Sequence, residues 1–561
     1  MIIDGRTVDA PLDSHVAIVG SGPAGIVLAL ELAEAGLDVL LLESGRERFD
    51  ARAQALSDAA WWDSERHAPM ALAVRRQVGG TSAIWGGRCV PYDPVDFEYR
   101  PWIVDHRWAV SFDEVARYFP RACEWFACGR AVFDATQTGV LPSSIVPGLP
   151  NGDVQSSALE RWSRPTQFGR EYRERLRRTP RVRLVTGVTC TAIVAAPRGE
   201  GVDRLACRTL DGRPVEVRAR RYVLACGGIE TTRLLLASRR DDGCPIGNHS
   251  DHLGRWYMGH LEGVVAAVRF RTPPEATIYG YERDADGTYV RRRLTFSCAF
   301  QRERGLPNVA GWLVHPEPAG AHGSGVLSVA YLALASPLGR YLAPEALRRA
   351  MTGERVPGVP FGGGGRAPLR EHLRNIVRDL GPAARFVCEF GVKRFLARGR
   401  RAPGFAVYNP GNVYPLQYHA EHLPRRDSRV TLDDSRDELG VPRVRLEIRY
   451  GDRDVEGVAA AHAEWDAYLR RHGVGWLEYG PDDLREAIRR RMGGGFHQIG
   501  TTRMSERPED GVVDRNLAVH GCPALSVASS SVFPTSGQAN STFMIVVFAL
   551  RLADHLKAQL R

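Results

Sequence analysis

Apolar residues recur along this chain with two different periods. A run at 15–19 leads into GSGPAG, the apolar positions of 26–35 return in helical register until Gly36 stops them, and a second run at 37–42 ends at Glu43. That succession predicts a βαβ unit. Runs at 182–193 and 221–225 read as further strands, the latter passing into CGGIETTRLLLAS, so that a second strand, glycine turn and helix join the first unit in one sheet. From about residue 261 the texture turns to strand-like runs at 264–270, 294–300 and 326–334. Between Arg355 and Pro368, VPGVPFGGGGRAP reads as a flexible lid or a disordered linker. Order resumes through 386–396 and DSRVTL at 427–432, followed by a strand at 444–450 and a helix at 455–472 stopped by Gly473. Near the end, 525–528 is a short strand and 541–556 an apolar helix whose N-terminus, at Asn540, suits an anion or an electron sink. No solenoid repeat is present.

Composition narrows the class. A chain of 561 residues with 44% apolar and 25% charged residues is globular and long enough for two to four domains. Of 75 basic residues only Lys393 and Lys557 are lysines, and the arginines are dispersed rather than gathered in a stripe, which argues against nucleic-acid binding. Ten cysteines without a C-x-x-C pair indicate neither a zinc site nor a disulfide framework, and no metal is expected. The first fifteen residues have no export pattern, and the apolar stretches at 26–32 and 543–550 fall short of the roughly 20 residues a membrane helix needs. A cytoplasmic protein is expected.

The glycines carry the first chemistry. Gly20, Gly22 and Gly25 would supply a tight turn, a bare backbone beside a pyrophosphate and close helix packing, while Glu43, eighteen residues on, suits a ribose diol and disfavours a 2′-phosphate. The loop RRQVGGTSAIWGGRCVPYDP at 75–94 would bring backbone N–H groups to a planar ligand.

These motifs, with RWAVSFDEVARYF at 107–119, HLGRWYM at 252–258 and the C-terminal series FHQIGTTRM, SVFP and SGQAN, resemble the glucose/methanol/choline (GMC) flavoprotein oxidoreductases. Within that family the chain is most similar to the bacterial branch near pyranose oxidase and the sugar and gluconate dehydrogenases. The resemblance implies an α/β fold: a discontinuous Rossmann-like FAD-binding domain (1–260 and 491–561) with an inserted α+β substrate-binding domain (261–424) and a connecting segment (425–490). It implies that Gly20, Gly22, Gly25 and Glu43 hold the ADP half of FAD, with Val188 near the adenine and Cys226 and Gly227 near the ADP portion. Gly79, Gly80, Thr81 and Ser82 would line the flavin and ribitol, and Ser530, Asn540 and Thr542 its ring end. The catalytic pair maps to His497 and Asn540. Oxidising an alcohol by hydride transfer requires removal of the hydroxyl proton, which suits a neutral histidine with an ordinary pKa near 6.5, so activity should rise through that window unless the site moves it.

Gln417, Tyr418, His419 and Glu421 form a polar group, of which Gln417 and His419 are expected to meet substrate; His260 and His520 read as structural. Ile84 stands where covalent relatives have a histidine, so FAD should be noncovalent, and Ser541 replaces the usual proline after the asparagine. The expected reaction is oxidation of a secondary hydroxyl of a sugar, glycoside or related polyol to a ketone, with oxygen or another electron acceptor and an undetermined oligomeric state. A flavin-containing lyase of the same fold and oxidation of a non-sugar alcohol are the alternatives; an NAD-dependent dehydrogenase would not need the C-terminal series.

Overall fold

A computed structural model describes residues 1–164, 166–196, 201–397 and 399–560. The first sheet takes seven strands from the N-terminal part of the chain: β1 (Ile2–Asp4), β2 (Leu12–Val19), β3 (Val39–Glu43), β4 (Val182–Thr186), β5 (Val188–Ala195), β6 (Val202–Thr209) and β7 (Pro214–Leu224). Their spatial order is β1-β4-β3-β2-β7-β6-β5, parallel from β1 to β7 and antiparallel beyond. Every residue of β3 is buried, as expected of a parallel strand covered on both faces.

The helix Pro23–Glu34 follows β2 with proline in its first turn, where the missing N–H costs nothing. Gly20 has φ +101, and a Cβ there would lie 2.6 Å from the Ala225 carbonyl. At Gly25 a Cβ would fall 1.9 Å from the Gly20 carbonyl, so helix and strand can approach only without a side chain.

A second sheet comprises β8 (His260–Phe270), β9 (Val309–Leu313), β10 (Val413–Glu421) and β11 (Gly475–Tyr479), ordered β9-β10-β8-β11 and antiparallel throughout. Alternation along these strands makes two unlike faces. Leu261, Leu416, Tyr418 and Ala420 join Val455, Val458 and Trp465 of the helix Asp452–Arg471 in one apolar core. The intervening residues, His260, Glu262, Gln417, His419 and Trp312, lie on the opposite face. The chain then returns to the first sheet, where β12 (Ala518–Val519) pairs with β13 (Cys522–Val527) and β13 runs parallel to β7. The helix Thr542–Leu560 closes the first core.

Several expectations change. Residues 326–334 are not a strand but part of the helix Gly325–Ala335, begun by Ser324, whose Oγ accepts from the Leu327 N–H. A short continuous apolar run has no period to separate the two states. Of 294–300 only Thr295–Phe296 is strand, and Ser297 caps a helix at Cys298–Arg304. The segment 154–162, which the resemblance puts in the FAD-binding part, pairs both with Arg88–Cys89 of that part and with Thr295–Phe296 and Tyr289–Arg292 beyond it. In the four-glycine stretch the Gly362 N–H donates to Glu317, its carbonyl accepts from Arg491, and Phe361 packs beside Trp312 and Val314.

Glu421, one of the polar group at 417–421, is buried in an ion pair. Arg100 donates to both its oxygens at 2.8 and 2.7 Å, and the Asn308 N–H donates at 3.1 Å. Burial pushes the neighbouring Asp96 carboxyl up to about 8, against the pull of the Arg100 guanidinium. Glu421→Gln should destabilise the protein by about 3 to 5 kcal/mol, the usual cost of leaving one buried partner uncompensated, and lower the unfolding temperature in calorimetry.

Candidate active site

An open cleft runs from the start of the helix Pro23–Glu34 to the start of Thr542–Leu560. Gly20, Gly22, Glu43, Gly80, Thr81, Ser82, Val188, Cys226, Gly227, His497, Ser530 and Thr542 all line it. Gly25 and Gly79 support its wall from behind: a Cβ on Gly79, at φ +95, would strike the Gly169 N–H at 2.4 Å. Gly22 faces open space, with no atom within 4 Å of where a Cβ would stand.

Glu43 is partly committed within the protein. Ser21 donates to Oε2 through its N–H (3.1 Å) and hydroxyl (2.6 Å), and the Gly45 N–H donates to Oε1 at 2.8 Å. A carboxylate has about four acceptor positions, so one stays free for a ribose hydroxyl. Ser82 is likewise spent on the loop: its hydroxyl donates to Gly79 and accepts from the Phe168 N–H. Ser530 donates to the Gln498 carbonyl at 2.7 Å. Residues not singled out in the sequence also reach the cleft. Arg76 pairs with Glu230, and Arg233 donates to Asp437 at 2.7 Å from a distant hairpin. Nothing in the local pattern marks such contacts.

At the end near Thr542, His497 has Nε2 3.0 Å from Asn540 Nδ2 and Nδ1 2.8 Å from His260 Nδ1. His260 Nε2 lies 3.2 Å from the Ser536 carbonyl, which can only accept. The proton positions follow in sequence. His260 carries its proton on Nε2, its Nδ1 accepts from His497 Nδ1–H, and His497 Nε2 keeps a lone pair toward which Asn540 donates. His260, read from sequence as structural, thus touches His497 directly; no spacing rule could have linked positions 237 apart. His520 stays apart, 3.0 Å from the Ser505 hydroxyl.

Burial first, and the Arg88 charge second, hold His497 down to about 4. His419 stacks on His260 at 4.2 Å between ring centroids and donates from Nδ1 to the Gln538 carbonyl at 2.5 Å, leaving Nε2 as an acceptor. Gln417 accepts from Trp312 Nε1 at 3.2 Å, which leaves its amide N–H groups to donate. Tyr418 points into the opposite core. The three histidines converge to the spacing a metal ion would need, yet two of their nitrogens are spent on each other.

Comparison with known proteins decides the family. The model for FAD dependent oxidoreductases matches residues 15–295, and that for GMC oxidoreductase matches residues 424–549. The chain belongs to the GMC family of FAD-dependent oxidoreductases. It is 23% identical to paromamine 6'-oxidase of Streptomyces fradiae, over 97% of this chain and 91% of that one. It is also 23% identical to 2-methyl-1,2-propanediol dehydrogenase of Mycolicibacterium austroafricanum (97% and 95% covered), and 22% to the fructose dehydrogenase large subunit of Gluconobacter japonicus (98% and 99%). The fold is that of pyridoxine 4-oxidase from Mesorbium loti, with a TM-score of 0.53 at 18% identity over 97% of this chain and 99% of that one. This GMC protein is therefore an FAD-dependent oxidoreductase. Among its described residues no helix is long and apolar enough to cross a membrane.

The residues fit FAD. The bare Gly22 backbone leaves room for a diphosphate, and the buried Gln498 Nε2 and Asn540 Oδ1 have no partner among the described residues. Two outcomes follow. Glu43→Ala should weaken FAD retention by about 10-fold, the cost of one charge-assisted hydrogen bond, measured by titrating apoprotein with FAD. Because a depressed histidine is neutral above its pKa, the anaerobic flavin-reduction rate should stay level from pH 8 to about 5 and fall only as the pH approaches 4. This replaces the window near 6.5 expected from sequence.

Proposed function

We propose that the enzyme oxidises a hydroxyl-bearing carbon of a sugar, glycoside or related polyol, a secondary hydroxyl becoming a ketone, with His497 as the base. The observation that carries this reading is the unprotonated Nε2 of His497, which accepts from Asn540 Nδ2 at 3.0 Å and would exchange that donor for a substrate hydroxyl, where the cofactor cleft meets the polar face of the second sheet. FAD, when bound, supplies the hydride acceptor. His497 Nε2 takes the hydroxyl proton, and Asn540 orients the same oxygen without competing for that proton. As His497 becomes charged, its Nδ1–H goes on donating to His260 Nδ1, and His260 to the Ser536 carbonyl, so the ring keeps its orientation through the transfer. The first turn of Thr542–Leu560 directs its positive dipole end at the same place and favours developing negative charge there.

In this reading Gly20, Gly22, Gly25, Glu43, Gly79, Gly80, Thr81, Ser82, Val188, Cys226, Gly227, Ser530 and Thr542 serve the cofactor. The Gln417 amide and His419 Nε2 offer a donor and an acceptor to substrate hydroxyls, each of which would cost about 1 to 3 kcal/mol if buried unpaired. The sugar and polyol names among the relatives support the substrate class. FAD is bound noncovalently, since Ile84 has no atom able to bond to it. Oxygen is one electron acceptor consistent with the site, and other acceptors are equally so.

His497→Ala should slow anaerobic flavin reduction by roughly 100-fold or more while FAD content persists. A panel of sugars, glycosides, polyols, choline and aryl alcohols tests the substrate: reduction by the last two alone would overturn the class, and an aldehyde product would overturn the secondary hydroxyl. Acid precipitation should leave the yellow colour in solution.

A further inference from the structure

A buried charge cluster stands on the substrate side of the second sheet. Arg88 Nε lies 2.5 Å from one oxygen of Glu160, and Arg291 Nε lies 2.5 Å from the other. Both guanidiniums sit over the Trp312 ring, at 4.3 and 4.9 Å from its centroid. Arg293, only 2% exposed, adds a third positive charge, and its Nε and Nη1 have no hydrogen-bond partner among the described residues. Arg88 Nη2 is also without one. The adjacent Arg292 differs in having a carboxylate of its own, donating from Nε and Nη2 to both oxygens of Glu282, although its Nη1 is unpartnered too.

The charges do not balance. Burial tends to raise the Glu160 carboxyl, but Arg291, Arg88 and Arg293 outweigh it and keep it ionised below its ordinary range. Glu262 is the other carboxyl nearby; burial lifts it to about 8 against the pull of Arg88, so at neutral pH it is mostly protonated. Three guanidiniums thus face one firm carboxylate in a desolvated space, where an unpaired charge is costly unless a counter-ion completes it. The space adjoins the reaction centre. The Trp312 ring is 6.3 Å from that of His419, and Arg88 and Arg293 both act on His419 to hold it below its ordinary value, after burial.

We propose that the substrate carries an anionic substituent, a carboxylate or a phosphate ester, bound by the free donors of Arg88, which lies over Trp312, and of Arg293. This rests on the reading that His497 and the polar face of the second sheet enclose the substrate. A guanidinium suits either group, because its paired N–H donors match two oxygens of one anion.

Matched substrates test it on the holoenzyme: glucose against gluconate, glucuronate and glucose 6-phosphate, with glucosamine as the cationic counterpart. At least one anionic member should reduce the flavin with kcat/KM at least roughly 10-fold above glucose, and its KM should rise roughly 10- to 100-fold in Arg293→Gln. The carboxylate and phosphate arms distinguish the two sources. Neutral or cationic sugars that match or exceed every anion would overturn the proposal and leave the alcohol oxidation standing. If no alcohol reduces the flavin, the functional reading fails, and binding of inorganic phosphate and of gluconate, followed by the flavin absorbance, still decides the anion site. Binding of either that is weakened in Arg293→Gln supports it; binding of neither, or binding unchanged in the variant, sinks it. Arg293→Lys, which keeps the charge, repeats the comparison if the glutamine variant does not fold.

Discussion

The hydrogen bond between His260 and His497 is the constraint on which the centre depends. It joins the first residue of β8 to the segment that leads the chain back to the first sheet, 237 positions away. Its direction is fixed from outside the pair, because the Ser536 carbonyl can only accept and so assigns every proton back to His497 Nε2. The loop carrying that carbonyl must be held as firmly as the rings. It is: the Ser536 hydroxyl accepts from the His422 N–H, Thr535 accepts from Trp108, and Gln538 donates to Asp93. Gly537, at φ +56, lets the loop pass Asp96, where a Cβ would lie 2.8 Å from a carboxylate oxygen.

The same loop serves the second sheet twice, giving the Ser536 carbonyl to His260 and the Gln538 carbonyl to His419. Two neighbouring strands thereby present stacked imidazoles of known tautomer, one bonded to the base and one free to accept. The Arg100 and Glu421 pair anchors the end of β10 to the turn that includes Asp96, a few residues from this loop's partners. A buried ion pair there ties the second sheet to that turn through charge.

The legible parts of the fold share one property, which is that their causes are local. Gly20, Gly22 and Gly25 need only the strand before and the helix after them, and Gly473 needs only the helix it follows. His497 and Asn540 were placed by resemblance of their flanking residues, and the structure sets them 3.0 Å apart. What could not be read depends on partners far along the chain. His260 reads as structural because its partner lies 237 positions on, and Glu421 reads only as one of a polar group because Arg100 lies 321 positions back. Residues 326–334 misled for the opposite reason, since an unbroken apolar run fits a strand or a buried helix equally.

Electrostatics then connects the base to the arginine cluster. A histidine held near 4 is neutral under ordinary conditions, but it is also a weak proton acceptor, and the Arg88 charge is one reason for its weakness. Every proton accepted by His497 would add positive charge near Arg88, which shares Glu160 with Arg291. An anion held by Arg88 and Arg293 reverses that balance, because it screens Arg88 from the imidazole and raises its affinity for the hydroxyl proton. Coulomb coupling between charges a few ångströms apart is strong in a desolvated site and faint in water, so the effect would arise only with the substrate seated. The arginines would then act on rate as well as on binding, by making His497 a stronger base in the complex than in the free enzyme.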